Sequence, residues 1–235
     1  MTKRIWVIIA MLMTSGVASA SECVVLLHGL ARTSISMNKM QRELRRSGFE
    51  TVNIDYPSRK FTVEVLAPMA VAQGVEECRK IEGVTSIHFV THSLGGILLR
   101  QYLSENEIPE LGRVVMFAPP NQGSIAADEL RDVPGYDWVH GPVGRQLGKG
   151  DESVPLKLGP VDFELGVIAG TRSTDPIASS VLPNPDDGRV SVEDTKIDGM
   201  RDHAVVSHSH TFMIRMRKPI DLTIRFLRTG SFAET

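Results

Sequence analysis

Six residues, Thr91-His92-Ser93-Leu94-Gly95-Gly96, leave the middle of this chain little conformational freedom. They separate an apolar run, Ile87-His88-Phe89-Val90, from a helix-like run, Ile97-Leu98-Leu99-Arg100-Gln101-Tyr102-Leu103. The first run suits a strand and the second a helix, so the serine between them has to turn the chain within very few residues. Such a turn lifts the serine hydroxyl above the sheet edge and aims the next helix N-terminus at it, the nucleophile-elbow pattern G-x-S-x-G. Thr91 stands where that pattern has its first glycine. Helix and strand approach closely there, so a small side chain is expected. The same small residues are also common in turns that carry no chemistry.

The 235 residues, 42% of them hydrophobic, can bury a full core, and one domain is the natural count. No long charge run, low-complexity tract or fixed-period repeat interrupts the chain, which excludes fibrous, disordered and solenoid classes. A net charge of −2 and the absence of a basic stripe with interleaved aromatics argue against a nucleic-acid partner.

Residues 1–20 read as a cleaved signal peptide: Lys3 and Arg4, an apolar run from Ile5 to Met13, then the small residues Ala18-Ser19-Ala20. The run is short for a membrane span. Glu22 precedes Cys23 where a lipoprotein signal needs a small residue, which disfavours a lipid anchor. Cleavage removes two positive charges and takes the net charge from −2 to −4. The expected location is secreted or periplasmic. In such a compartment Cys23 and Cys78 can close a disulfide; the alternative is two buried thiols acting as small hydrophobes.

Cys23-Val24-Val25-Leu26-Leu27 is continuously apolar, as in a strand covered on both faces of a parallel sheet, and ends in His28-Gly29-Leu30. Ser36 is placed to cap a helix carrying Met37, Met40 and Leu44 and ending at Gly48. A strand Thr51-Val52-Asn53-Ile54 follows, then a helix over about 62–81 that Pro68 either starts or kinks. After the elbow comes the buried-type strand Arg113-Val114-Val115-Met116-Phe117. Alternating strands and helices with short connections imply right-handed crossovers on one parallel sheet.

Residues 121–162 break this rhythm, with seven glycines, four prolines, Tyr136 and Trp138. The expectation is a lid-like functional insertion in which Tyr136 and Trp138 wall a pocket, against a plain surface insertion. A strand over 163–170 resumes the order. Arg189-Val190-Ser191-Val192 reads as a short last strand, and a final helix follows with Phe212, Met216, Ile220, Ile224 and Leu227 on one face, interrupted at Pro219.

A serine hydroxyl becomes nucleophilic only beside a base that a third group orients, and on this architecture the order is serine, acid, histidine. Asp187 in Asp-Gly-Arg-Val leads as the acid, with Asp186 and Asp175 as rivals. His210, nearest the last helix, leads as the base over His208 and His203. Spacings of five and two residues without nearby cysteine disfavour a zinc site, and no cofactor is implied. The oxyanion amides would be those of Leu94, after the nucleophile, and Leu30, after the first strand. His28 is expected to support that loop, and His92 to point away from the reacting face.

With these parts placed, the chain resembles bacterial lipase-like α/β-hydrolases of the minimal type. The strings that carry the likeness are His28-Gly29-Leu30-Ala31-Arg32-Thr33-Ser34, Tyr56-Pro57-Ser58-Arg59, the elbow, Ala118-Pro119-Pro120-Asn121-Gln122-Gly123-Ser124, Asp187-Gly188-Arg189-Val190 and Ser209-His210-Thr211-Phe212. The resemblance implies a doubly wound, mostly parallel α/β sheet over residues 21–235. It implies Ser93, Asp187 and His210 as nucleophile, acid and base, and hydrolysis of carboxylic esters, with small-molecule or lipid esters as substrates and transient contact with a lipid interface. Arg32, Thr33 and Ser34 either touch the oxyanion loop or substrate or merely cap the loop. An acyltransferase using the same triad, and a binding module on a hydrolase scaffold, are the competing readings.

Overall fold

The computed structural model describes residues 21–234, so the signal-peptide reading lies outside the described residues. Six strands form one fully parallel sheet: β1 (Ser21–Leu27), β2 (Glu50–Ile54), β3 (Val84–His92), β4 (Leu111–Phe117), β5 (Leu165–Gly170) and β6 (Asp202–Val206), in the order β2-β1-β3-β4-β5-β6. The helices are α1 (Asn38–Arg46), α2 (Val63–Arg79), α3 (Leu94–Leu103), α4 (Ile125–Glu129), α5 (Tyr136–Gln146), α6 (Val154–Lys157), α7 (Pro176–Ser179) and α8 (Arg217–Thr229).

The alternation along β1 builds both halves of the core. Cys23, Val25 and Leu27 pack on one face with Leu66, Ala70, Ile97 and Leu98 of α2 and α3. Val24 and Leu26 pack on the other with Met40 and Leu44 of α1 and Ile220 and Phe226 of α8. A strand buried on both faces has no polar side, which is why its sequence reads as unbroken apolar residues. The chain runs outward from β1 to β2, then crosses back to β3 on the other side of β1. That reversal opens a crevice above the carboxyl ends of β1 and β3, where ligands bind in open α/β sheets.

Pro68 lies inside α2 without ending it. Ser36 does not cap α1: it sits in a single 3₁₀ turn, Ser34–Met37, and its hydroxyl donates to the Thr33 carbonyl at 2.8 Å. The last strand is Asp202–Val206, not residues 189–192. Residues 187–190 cannot join the sheet because they bond among themselves. The Asp187 carboxylate accepts from the amides of Arg189 and Val190, and the Asp187 amide donates to the Val190 carbonyl. The true edge strand starts with Asp202 and His203 and leaves Val205 exposed, so it carries no buried-strand pattern.

The final helix also starts later than its apolar spacing suggests. Met216 is extended, with φ −90° and ψ 148°, so Phe212 and Met216 precede α8 and are exposed. Pro219 then falls in the first turn, where no intrahelical N–H bond is lost and no kink results. Cys23, near the start of β1, and Cys78, near the end of α2, are bonded to each other, with Cα atoms 5.8 Å apart.

Candidate active site

Ser93 sits at the corner between β3 and α3 with φ 52° and ψ −118°, a left-handed φ that side chains other than glycine's resist. Its amide is held by the Phe117 carbonyl at 2.8 Å. Gly95 and Gly96 make the corner sterically feasible. A Cβ on Gly95 would lie 2.7 Å from the Leu27 carbonyl oxygen, and one on Gly96 would lie 3.3 Å from Thr91 Oγ1. Thr91 is thus accommodated because a glycine faces it across the helix–strand contact.

Among the described residues, the other non-glycine residues with positive φ are Ala31 and Ala118, just beyond the carboxyl ends of β1 and β4. All three strained residues therefore ring the same sheet edge. Each costs about 1–2 kcal/mol, and such strain persists where the surrounding structure over-determines it.

Asp187 is buried, and its two carboxylate oxygens have separate tasks. Oδ1 accepts from the Arg189 and Val190 amides at 3.0 and 2.9 Å, and Oδ2 lies 2.8 Å from His210 Nδ1. The His210 amide also donates to the Asp187 carbonyl at 3.0 Å. The carboxylate therefore sets Nδ1 as the protonated ring nitrogen and leaves Nε2 as the acceptor. The rivals are occupied elsewhere. Asp186 Oδ1 accepts from the Gly188 amide and the Ser179 hydroxyl, while Asp175 caps α7 and pairs with Arg189 at 3.0 Å. His203 Nε2 lies 3.0 Å from Thr195 Oγ1. His208 does not line the cavity that holds Ser93.

That cavity encloses about 320 Å³, and Ser93, His210 and Leu30 line it together. Ser93 Oγ makes no direct hydrogen bond to the His210 ring, although both residues line the cavity. Among the described residues, neither the Leu30 nor the Leu94 amide donates to a protein acceptor, whereas the Ala31 amide is held by Ser58 Oγ at 3.1 Å. The Leu30 loop comes beside the elbow because β1 and β3 are neighbours, with Leu27 opposite Thr91. Gly29 permits the approach: a Cβ there would lie 2.8 Å from His92 Nδ1.

His28 is fully buried and stacked on Tyr56 at 3.9 Å. Its Nδ1 faces the Gly29 carbonyl, and its Nε2 accepts from the Tyr56 amide at 3.3 Å. Burial lowers its pKa. The neutral ring braces the Leu30 loop, and the 3.7 Å approach to Asp55 is no ion pair.

His92 does not point away from the site. It lies beneath His210, ring centroids 4.8 Å apart, and its Nε2 is 2.9 Å from the His210 carbonyl oxygen. A carbonyl only accepts, so Nε2 carries the proton, and Nδ1 is a buried nitrogen without a partner. Burial first, and the charge of His210 second, hold this ring well below the usual imidazole range. A position next to Ser93 in sequence does not by itself send the His92 ring to the far side of the sheet edge. His92 is the last residue of β3, and the alternation of that strand puts it on the same face as Val90, the face α8 covers, under the loop that carries His210 into that helix.

Residues 121–162 form the apolar wall of the cavity through Ala126, Leu130, Tyr136, Val139 and Leu147. Tyr136 is buried and donates from its hydroxyl to the Gly144 carbonyl, but Trp138 is 83% exposed and lines nothing there. Arg100 of α3 holds this segment in place. Its buried guanidinium donates to the Asn121 carbonyl and side chain and to the carbonyls of Pro155 and Gly159. Burial brings its pKa down to about 10, so it stays charged at neutral pH. Sequence reasoning also passed over His140 and Arg189, which line the cavity from α5 and from the Asp187 turn. The string Asp187-Gly188-Arg189-Val190 was the available signal for Arg189.

No protein-family model matches the sequence, and no curated protein matches it. Solved structures do. Over 90% of this chain and 93% of the other, it superposes on the mature lipase BlEst2 of Bacillus licheniformis with a TM-score of 0.71 and 19% identity. The chain has the α/β-hydrolase fold. Phospholipase PlaB of Legionella pneumophila aligns with a TM-score of 0.69 and 17% identity, over 90% of this chain and 61% of PlaB. The metagenomic carboxyl esterase MGS0156 aligns with a TM-score of 0.60 and 18% identity, over 83% of this chain and 66% of the esterase. Ser93, Asp187 and His210 stand on the loops that follow β3, β5 and β6.

Proposed function

We propose that the protein is a serine hydrolase of carboxylic esters, of lipase or esterase type, with Ser93 as nucleophile, His210 as general base and Asp187 as the group that orients it. The observation that carries this reading is the 2.8 Å bridge from Asp187 Oδ2 to His210 Nδ1, at the rim of a cavity that also holds Ser93 on a strained corner. Ser93 Oγ bonds to the acyl carbon while its proton passes to His210 Nε2. The carbonyl electron pair moves onto oxygen, facing the amides of Leu30 and Leu94. Collapse expels the alcohol, which takes the proton from His210, and water repeats the sequence to free the acid. One lost oxyanion donor raises such a barrier by about 3 kcal/mol.

The apolar wall of Ala126, Leu130, Tyr136, Val139 and Leu147 suits an acyl chain. The Cys23–Cys78 bond supports a secreted or periplasmic location. No helix among the described residues is long and apolar enough to cross a membrane.

The test uses protein beginning at residue 21, p-nitrophenyl acyl esters and a fluorophosphonate. Hydrolysis and labelling at Ser93 are expected, with kcat lowered by about 10⁴-fold or more in Ser93→Ala and His210→Ala. Absence of both hydrolysis and labelling in the unsubstituted protein sinks the proposal, and undiminished turnover in Ser93→Ala moves the chemistry elsewhere.

A further inference from the structure

The chain as a whole is acidic, with a net charge of −2, yet its cavity is cationic. Among the described residues, two arginines and no aspartate or glutamate line it. The two guanidiniums differ. Arg189 is paired with Asp175 at 3.0 Å, so its charge is largely answered. Arg32 has no carboxylate within 4.0 Å among the described residues. Among the described residues its guanidinium makes one hydrogen bond, from Nη2 to the neutral hydroxyl of Thr211 at 3.0 Å. That bond spans the gap between the oxyanion loop and the residue after His210, so the guanidinium is aimed across the site without being neutralised. The backbone beneath it is rigid: Ala31 is held by Ser58, and the Arg32 amide donates to the Gly29 carbonyl.

The remaining ionisable groups on the wall do not offset this charge. Burial holds His92 and His140 below the usual imidazole range and pushes Tyr136 up to about 12, so at neutral pH these three are uncharged. A guanidinium carries five N–H donors in a planar fork matched to carboxylate and phosphate, and among the described residues Arg32 uses one of them on the protein.

Resting on the esterase reading, we infer that Arg32 is a specificity-determining residue, and that the substrates are esters carrying a second, anionic oxygen group, carboxylate or phosphate, beside the scissile acyl carbon. The substrate's anion takes the free edge of the Arg32 fork while its apolar part lies against the wall built by residues 121–162. A neutral ester fills the same space but leaves that edge unpaired.

Two matched pairs of esters test this. One places the anion on the acyl side, p-nitrophenyl hemisuccinate against p-nitrophenyl pentanoate. The other places it on the alcohol side, dibutanoyl phosphatidate against tributanoylglycerol. In the unsubstituted protein kcat/KM should favour the anionic member of at least one pair by about tenfold or more, the usual worth of a charge-assisted hydrogen bond. That preference should narrow as ionic strength rises. Arg32→Gln should abolish the ratio and Arg32→Lys should restore part of it. A shift in the first pair assigns the anion to a carboxylate acyl group, and a shift in the second to a phosphate on the alcohol.

If the unsubstituted protein cleaves the neutral esters at least as well as both anionic ones, the inference fails while the esterase reading stands. A preference that Arg32→Gln leaves intact also overturns it. If no ester is cleaved and Ser93 is not labelled, the esterase reading falls and this inference with it.

Discussion

A buried histidine one position before Ser93, the proposed nucleophile, ties the two halves of the candidate site together. His92 Nε2–H holds the carbonyl of His210, a residue 118 positions further along the chain. Because burial and the charge of His210 hold the His92 pKa well below the usual imidazole range, the imidazolium that the proposed mechanism forms on His210 would meet no like charge 4.8 Å away. His92→Phe fills the same space without the donor. Steady-state kinetics should then show kcat reduced by about 10- to 100-fold with KM little changed, since small misplacements of a base are costly in rate. A KM rise with kcat intact would mean that His92 shapes the binding surface rather than the position of His210. Asp187 shows the same economy of parts, one oxygen closing its own turn and the other meeting the histidine. The sequence held the residues for this but not their pairing, because a side chain in an irregular loop has no periodicity to read.

At the level of strands and helices, the site and the disulfide occupy opposite ends of the sheet. Ser93 and Leu30 lie beyond the carboxyl ends of β3 and β1, while Cys23 lies near the start of β1, bonded to the end of α2 across 55 residues. Closing a loop of that length stabilises the folded state by about 4 kcal/mol in the chain-entropy account. The double variant Cys23→Ala with Cys78→Ala should therefore unfold at clearly lower urea concentration, with kcat for ester cleavage close to that of the unsubstituted protein. A large loss of kcat in folded variant would show that the two ends are coupled. Strands β1, β3 and β4 were legible because strands covered on both faces carry mostly apolar runs: residues 23–27 in β1, a run interrupted by His88 in β3, and residues 114–117 in β4. Edge strand β6 was not, since one of its faces meets solvent and its first residues are polar.

Across the whole molecule, five of the seven histidines have lowered pKa values: His28, His88, His92, His140 and His203, each with burial as the largest cause. A histidine whose pKa is lowered on folding binds its proton more readily in the unfolded chain. Its contribution is fully present above the unfolded value of about 6.5 and is lost as pH falls below it. Each such group that stays neutral steepens the loss by up to about 1.4 kcal/mol per pH unit. Urea unfolding should thus give a roughly level stability above neutrality and a steep decline below about pH 6.5. Unchanged stability between neutrality and pH 5 would show that these rings are charged in the folded protein.

The amino-acid order alone determined the layered fold, because apolar runs of strand length alternating with amphipathic segments bury their faces in only a few ways. It also determined the elbow, because a serine with glycines at that spacing permits one tight turn. The tertiary structure decided what lies across from what: that His210 meets Asp187 while Asp186 turns to Ser179, that His92 lies under His210, and that Trp138 faces solvent. Those outcomes depend on which loops the parallel strands bring to one edge, and distance along a chain carries no record of distance in space.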